Sequence, residues 1–490
     1  MKSTQILSRV INRRGLTNLA KNACALTSGE STRSASSSSS HQTPLQLRNL
    51  GTAKLNPKRA TAEPSASRQA TEKELERNVL ASKFEEIPLC NVPFHRKVLL
   101  KIVEHAAMHP SRAALMLADD PSVCISYSDL HKQTYALASF LSNSGFGHLS
   151  VCCSVLPSCI EFVPSYLGTM MVGGVSMCAD ENCIKDELER AFTTSQCRAT
   201  ITSFALLSKV MAAAKSCPFI KTIICVTSSA DQLLPEGVVN WEDVMQTHTV
   251  QFQKYKYSGN NAAFIQYQSG VPESRNGIVM SHSNISTMLD VNSKYFTDYV
   301  YKRMFFDNKE GKYEPCDEHA ILSMPFNHIF GFAHLNRILL EGSTGIIATK
   351  SNTVQLLEML QKYRPKVVHM LPETATAFVE DPIVDNYDIK SLEVVLIGGA
   401  PFSSSLMDTF LRKFNHVRFM IPFYGWPECG VGFVSPMRVR HGTATILPTF
   451  HQKVIDPING VALPASTEAA PGISLLLSIA TAGSILATLG

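Results

Sequence analysis

A short stretch rich in glycine, serine and proline, residues 267–284 (YQSGVPESRNGIVMSHSN), has the composition of a loop that can bind phosphate. The apolar residues 261–266 predict a strand before it, and a helix is expected to begin near His282. Between a strand and a helix, backbone N–H groups of small residues can surround an anion. The pattern predicts either phosphate binding where the strand meets the helix or an ordinary Ser/Gly/Pro loop.

Three downstream segments carry further residues that could do chemistry. Residues 323–331 (SMPFNHIFG) place a histidine among apolar residues, residues 396–403 (LIGGAPFS) form a glycine-rich turn, and residues 423–430 (FYGWPECG) contain a glutamate. Taken singly, a histidine in such a setting is usually packed in the core or exposed, and Gly-Gly-Ala-Pro is usually a turn.

These four segments, in this order, resemble the adenylate-forming (AMP-binding) superfamily of acyl-CoA synthetases, 4-coumarate–CoA ligases and beetle luciferases. The resemblance implies ATP-dependent activation of a carboxylic acid, fatty or aryl, to an acyl-adenylate and then to an acyl-CoA. It also implies ATP/AMP and Mg²⁺ at the site, a carboxylic acid substrate, and CoA as a candidate acceptor.

The resemblance assigns a role to each residue in register with these motifs. His328 and Glu428 are the catalytic candidates, with His328 beside the acyl group and Glu428 as the Mg²⁺ ligand. The nucleotide-binding candidates are Ser269, Gly270, Gly277, Gly398, Gly399, Ala400, Pro401, Tyr424 and Gly425. The walls of the acid pocket are expected to be Phe330, Phe423 and Trp426.

Several positions depart from the superfamily pattern. Val271 and Pro272 replace two phosphate-facing threonines, and their side chains cannot donate hydrogen bonds. Glu273 replaces a glycine, and its charge would repel a phosphate charge ~4 Å away by about 4 kcal/mol at an effective dielectric near 20. Asn276 replaces a lysine and Pro427 a threonine. Phe423 replaces a glycine and should narrow the acid pocket.

Strands and helices alternate along the chain, which predicts parallel α/β sheets. Residues 149–155, 199–202 and 222–226 are predicted to be buried strands, and residues 161–177 an apolar helix that runs into a Gly-Gly pair. The resemblance implies two parallel-sheet α/β subdomains plus a partial β-barrel. We expect the AMP-binding core at residues 76–437 and the partial barrel at 438–490, with the C-terminal lid domain of the superfamily absent.

Composition narrows the classes of function. The 490 residues are 45% hydrophobic and 18% charged, as in a globular protein. Basic residues concentrate in residues 1–70, so the remainder has no overall bias towards nucleic acid, and no nucleic-acid partner is expected. The 13 cysteines show no zinc-ligand spacing.

The N-terminus has the composition of a targeting segment. Residues 1–29 hold basic and apolar residues at helical spacing and no acid, which is typical of a mitochondrial transit peptide. A disordered basic tail on a cytoplasmic protein is the alternative. Residues 30–75 are rich in serine and are predicted to be a disordered linker.

The last residues, 473–490, carry no charge and are long enough to approach a membrane span. They contain many serines, threonines and glycines and lack a basic flank, so a barrel strand is favoured over membrane association.

The departures from the superfamily pattern leave three functions open. The chain could be an acid–CoA ligase. It could be a catalytically impaired relative that binds a nucleotide, an acyl ligand or a partner. It could also be the truncated product of a gene for an active ligase.

Overall fold

The computed structural model describes most of the chain from Leu80 onward. The described residues are 80–229, 231–248, 255, 257–267, 277–302, 314–349, 352–400, 402–426, 430–434, 445–455, 474–479 and 487–489. The predicted transit peptide and linker, and the centre of the phosphate loop at 268–276, lie outside these residues.

Eleven α-helices occur in the described residues. They are α1 (Phe94–Met108), α2 (Tyr127–Asn143), α3 (Phe162–Met171), α4 (Lys185–Thr194), α5 (Phe204–Ala214), α6 (Trp241–Met245), α7 (His282–Tyr295), α8 (Ile329–Glu341), α9 (Thr353–Tyr363), α10 (Pro372–Glu380) and α11 (Ser404–Lys413). A π-helical segment, Phe296–Tyr301, continues α7, and 3-10 turns occur at Pro315–Asp317 and Pro382–Asn386.

Twenty strands accompany the helices. They are β1 (Leu80–Ala81), β2 (Ala113–Leu117), β3 (Cys124–Ser126), β4 (Val151–Val155), β5 (Val175–Cys178), β6 (Ala199–Ser203), β7 (Thr222–Val226), β8 (Val238–Asn240), β9 (Ala262–Tyr267), β10 (Gly277–Ser281), β11 (His319–Leu322), β12 (Thr344–Ile347), β13 (Val367–Met370), β14 (Val394–Ile397), β15 (Phe419–Trp426), β16 (Gly430–Val434), β17 (Thr445–Ile446), β18 (Phe450–Ile455), β19 (Ser474–Ile479) and β20 (Ala487–Leu489).

The largest sheet has eight strands in the order β20-β10-β9-β5-β4-β6-β7-β8. The six strands from β9 to β8 are parallel, whereas β10 and β20 run antiparallel at one edge. All five residues of β4 (VCCSV) are buried. Continuous apolar strands of this kind are expected where helices cover both faces of a parallel sheet.

Two further sheets complete the α/β core. One has the order β11-β12-β2-β3 with parallel pairing among the first three strands. The other has the order β13-β14-β15-β16-β17 and is parallel from β13 to β15. The predicted α/β class with parallel sheets is therefore confirmed.

A small antiparallel sheet, β1-β18-β19, occupies the region predicted to form a partial barrel. Its strand β19 lies within the uncharged residues 473–490, whereas β20, from the same stretch, pairs with β10 at the edge of the large sheet. The described residues form no closed barrel. Within the part of the chain that is described, no helix combines the length and apolar character that a membrane crossing requires.

The prediction of one helix over residues 161–177 is wrong at its end. Helix α3 stops at Met171, Gly173 adopts a left-handed φ of +78°, and Val175–Cys178 forms strand β5. Every residue of α3 and β5 is buried, so the apolar run has no periodicity that separates helix from strand. The glycine turn makes the break, because glycine adopts positive φ without strain.

An aromatic cluster in the main core fixes α8 against the large sheet. The ring of Phe332 lies 4.6 Å from Phe264 of β9, 5.2 Å from Tyr166 of α3 and 5.8 Å from Phe94 of α1. The Tyr166 hydroxyl donates a 2.8 Å hydrogen bond to Asn336 Oδ1 on α8. The first turns of α8 are thereby held beside the end of β9.

Candidate functional site

The glycine turn and the Tyr-Gly motif emerge side by side from adjacent strands. Strands β14 and β15 are parallel, with Ile397 opposite Pro422. Gly398-Gly399 therefore leaves β14 next to Phe423 and Tyr424. A Cβ added at Gly398 would lie 2.5 Å from the Phe423 carbonyl oxygen and 2.9 Å from its ring. Only glycine permits this approach, which brings the two predicted nucleotide-binding motifs together.

Two features of the region where Gly398 lies next to Phe423 and Tyr424 suit a planar ligand. Gly399 has φ +90°, a conformation that side chains other than glycine rarely adopt. Tyr424 is 56% exposed, although its two neighbours in β15, Phe423 and Gly425, are covered to a greater extent. An exposed aromatic ring on the strand next to a glycine turn can stack on a nucleobase.

His328 lies at the start of α8 and caps it. Its Nδ1 accepts a 3.3 Å hydrogen bond from the backbone N–H of Phe330, in the way that an asparagine side chain caps a helix. Burial lowers the pKa of the imidazole below its usual value, so the ring is neutral near pH 7. Because Nδ1 accepts, the proton is assigned to Nε2, which is left as a donor.

The predicted walls of the acid pocket meet one another. The rings of Phe330 and Phe423 pack edge to face, with centroids 4.7 Å apart at 88°. Both side chains are buried, and the Phe330 ring lies 5.1 Å from that of His328. His328, Phe330 and Phe423 therefore form one continuous surface next to the Gly398 turn.

A buried glutamine connects the phosphate loop to the histidine loop. Gln266, the penultimate residue of β9, donates a 2.9 Å hydrogen bond from Nε2 to the carbonyl oxygen of Asn327. The side chain is 2% exposed. Gln266 was not among the predicted site residues, and its one indication in the sequence is a lone amide near the end of an otherwise apolar strand.

Gly331 explains why the histidine motif ends in glycine. A Cβ at this position would lie 2.0 Å from the Pro325 carbonyl oxygen and 2.8 Å from that of Met324. The first turn of α8 thus rests directly on the backbone that precedes His328. Any side chain here must displace the His328 loop.

The remaining predicted residues are distributed as follows. Gly277 is the first residue of β10 and pairs with Tyr267, so it closes the base of the phosphate loop. Trp426 ends β15, and Ala400 follows Gly399. Residues outside the described ranges are Ser269, Gly270, Pro401 and Glu428, together with the substituted positions Val271, Pro272, Glu273, Asn276 and Pro427. Among the described residues, no group of three or more His, Cys, Asp or Glu could hold a metal ion.

Two histidines that were not among the predicted site residues lie near Phe423. His334 of α8 and His369 of β13 are 5% and 7% exposed, and their ring centroids are 3.7 Å apart. The His369 ring lies 5.9 Å from that of Phe423. His334 follows Phe330 by four residues, so helical spacing could have placed both on one face.

Comparison with known proteins agrees with this fold. The chain belongs to the AMP-binding enzyme family, whose model matches residues 102–472. Among curated relatives, 4-coumarate–CoA ligase 1 of Solanum tuberosum is 24% identical over 391 residues, which cover 77% of this chain and 67% of that protein.

Two solved structures share the fold. The luciferase-like enzyme of the mealworm Zophobas morio superposes with a TM-score of 0.65 at 17% identity, covering 79% of this chain and 86% of that chain. An anthranilate CoA ligase in complex with anthranoyl-AMP gives a TM-score of 0.64 at 13% identity, covering 77% and 68%. The resemblance inferred from the motifs is thereby confirmed at the level of family and fold.

Proposed function

We propose that this chain activates a carboxylic acid with ATP and transfers the acyl group to CoA. In the first step a carboxylate oxygen attacks the α-phosphorus, the bond to the bridging oxygen breaks, and pyrophosphate leaves. In the second step a thiol displaces AMP. The observation that carries the proposal is the convergence of Gly398-Gly399, Tyr424, His328 and the Phe330–Phe423 surface at one edge of the parallel sheet.

The AMP half of the ligand fits the Gly398 turn. Gly398 and Gly399 carry no side chains that would block a base, and the exposed ring of Tyr424 on the adjacent strand would stack on the adenine. Family membership and the resemblance of residues 396–403 to an adenine loop support the same placement. Base–aromatic stacking contributes about 1–3 kcal/mol.

His328 is suited to orient the acid. Its neutral ring presents Nε2–H next to the Phe330–Phe423 surface, where the apolar part of an acid would pack. A hydrogen bond to one carboxylate oxygen would hold the other oxygen towards the nucleotide. A neutral donor does this without forming an ion pair that the transferred acyl group would have to break.

The residues expected to bind the phosphates of the nucleotide lie outside the described ranges. Glu428 offers the hard oxygen ligand that Mg²⁺ prefers, and Mg²⁺ in nucleotide sites commonly takes one or two carboxylates together with substrate phosphates. When bound, Mg²⁺ supplies charge neutralisation at the phosphates. Glu273, Val271 and Pro272 weaken the loop for polyphosphate, so we expect AMP to bind more tightly relative to Mg·ATP than in relatives with the threonine pair.

Thermal unfolding with and without ligand tests nucleotide binding. A ligand that binds only the folded state stabilises it by about 2.7 kcal/mol at a hundredfold excess over Kd. The unfolding midpoint should rise with AMP. Tyr424→Ala should raise the Kd for AMP about tenfold or more, so that more AMP is needed for the same rise in midpoint. Phe219→Ala, which truncates another exposed aromatic side chain between α5 and β7, is the matched control and should leave AMP binding unchanged.

Pyrophosphate release with a panel of acids then tests turnover. A midpoint shift with both ligands and acid-dependent pyrophosphate release would support the full reaction. A shift with AMP alone, without pyrophosphate release, would contradict activation and leave nucleotide binding. The absence of a shift with either ligand would overturn the proposed site.

A further inference from the structure

The loop that carries His328 joins strand β11 to helix α8, and side chains of the large sheet bind its backbone. The Phe326 N–H donates to Ser158 Oγ at 3.2 Å, and the Asn327 carbonyl oxygen accepts from Gln266 Nε2 at 2.9 Å. Backbone groups outside helices and strands need such partners when water is excluded. Two consecutive residues of the loop are thus bonded to the segment after β4 and to the end of β9.

The bond from Gln266 sets the plane of the peptide that precedes His328. The Asn327 carbonyl and the His328 N–H belong to one peptide unit, which is planar. Gln266 binds the oxygen of this unit, and its N–H donates to the Pro325 carbonyl oxygen at 3.0 Å. Because both edges are bonded, the plane cannot rotate without breaking a hydrogen bond. The direction in which the His328 side chain leaves the backbone is therefore defined.

The donor at position 266 stands on a rigid backbone. Gln266 pairs with Cys178 of β5 on one side and with Ile278 of β10 on the other, so its backbone lies within the ladder of the large sheet. Its side chain is 2% exposed. A side chain on a strand between two neighbours holds its partner more precisely than a side chain on a loop.

Stability alone does not account for an amide at this position. The nitrogen of Gln266 must face the Asn327 carbonyl, because only the nitrogen can donate. Oε1 then points elsewhere, is buried, and has no hydrogen-bond partner among the described residues. The three preceding residues, 263–265, are apolar and buried. An unpaired buried acceptor lowers stability, and its presence in a native structure requires an explanation, such as a functional role.

We propose that Gln266 is a positioning residue for acid activation, which aligns His328 with the carboxylate by binding the Asn327 carbonyl. Ser158 supplies a second restraint on the same loop through Phe326. This inference rests on the proposed function, in which Nε2–H of His328 orients one carboxylate oxygen. A ring displaced by about 1 Å loses this alignment, and a displacement of that size can lower a rate about 100-fold.

A double-mutant cycle tests whether Gln266 acts through His328, with octanoate and 3-phenylpropanoate as probe acids. Gln266→Met keeps the length of the side chain and removes the donor. Introduced into the unaltered chain, it should lower kcat for pyrophosphate release about tenfold or more and change KM for ATP less than about twofold, because orientation acts in the transition state. Introduced into His328→Ala, it should lower kcat less than about twofold, because the side chain through which it acts is absent.

Thr200→Val is the matched control for the loss of a buried hydrogen bond. The Thr200 hydroxyl of β6 donates to the Cys153 carbonyl oxygen of β4 at 3.0 Å, within the same sheet. This variant should leave kcat unchanged, with His328 present or absent. Ser158→Ala should lower kcat only where His328 is present. Equal fold losses for Gln266→Met in the two backgrounds, or no loss in the unaltered chain, would overturn the inference.

Hydrogen exchange separates failure of this inference from failure of acid activation. If neither acid releases pyrophosphate, the activity fails, and exchange of the backbone amides decides. Amides of residues 323–332 should exchange about tenfold or more faster in Gln266→Met, whereas those of helix α2 should not, because only the bonded loop loses a restraint. Thr200→Val should show no such local change. Acceleration confined to residues 323–332 would still support Gln266 as the residue that positions His328. Unchanged exchange there, or acceleration shared by α2, would overturn it.

Discussion

Replacement of Gly331 by alanine tests whether the backbone of α8 sets the position of His328. The new Cβ would lie 2.0 Å from the Pro325 carbonyl oxygen and 2.6 Å from its carbon. Ordinary contacts need about 3.5 Å, so the backbone must move by about 1 Å or more. The atoms in conflict are backbone atoms, which cannot rotate away, and the displaced segment contains His328.

The expected cost combines two opposing effects. Overpacking typically costs about 1–3 kcal/mol, and the upper end applies because the conflict is with backbone. Alanine gains about 1 kcal/mol over glycine inside a helix. We therefore expect Gly331→Ala to lower the free energy of unfolding by about 2 kcal/mol. A misplacement of about 1 Å at the site can lower the rate about 100-fold, so kcat/KM for pyrophosphate release should fall by about that factor.

Gly237→Ala is the matched control. Gly237 has φ +84° and no atom within 4 Å of an added Cβ, so alanine there costs about 1–2 kcal/mol of backbone strain without a steric conflict. Urea unfolding should show a similar loss of stability for the two variants, whereas only Gly331→Ala should lose activity. Equal kcat/KM in both variants would refute the argument that the α8 backbone positions His328.

Three other changes probe the same region and the fold around it. Phe423→Ala removes a pocket wall and should lower the free energy of unfolding by about 3–5 kcal/mol. It should also allow longer acids to be activated, and an unchanged dependence of pyrophosphate release on acid chain length would contradict this role. Gln266→Leu leaves the Asn327 carbonyl oxygen unpaired and should cost about 1–3 kcal/mol in urea unfolding; no loss would show that water replaces the bond. Burial, with Arg96 nearby, lowers the pKa of His282 to about 4, and burial also lowers that of His95. As the pH falls, the two histidines are protonated in the unfolded chain near pH 6.5 but in the folded chain only at lower pH. The free energy of unfolding should therefore be at its full value above about pH 6.5 and fall towards pH 4. Urea unfolding across this range should show that decline, with a smaller slope in His282→Leu, and equal slopes would contradict the assignment.

The site motifs could be predicted because they follow strands. Strand β9 extends from Ala262 to Tyr267, one residue from its predicted bounds, and α7 begins at the predicted His282. Gly398 follows β14, and Tyr424 lies two residues after Pro422, the last β15 residue paired with β14, so the two come together at one edge of the sheet although the sequence shows only their separate motifs.

The contacts behind the pocket could not be predicted in the same way. His334 on an apolar helix face has the pattern of a core histidine, and its contact with His369 depends on how α8 packs against β13. The bond from Gln266 to Asn327 joins residues 61 positions apart, which no local pattern reports. The break after Met171 was missed because helix and strand are both buried there.

Acid-dependent exchange of labelled pyrophosphate into ATP tests the central claim most directly. Exchange requires that the chain binds Mg·ATP, forms an acyl-adenylate and reverses the step, and it needs no CoA. We expect exchange that depends on an added acid and falls about 100-fold in Gly331→Ala. A chain that binds AMP yet shows no exchange with any acid would contradict acid activation by this site.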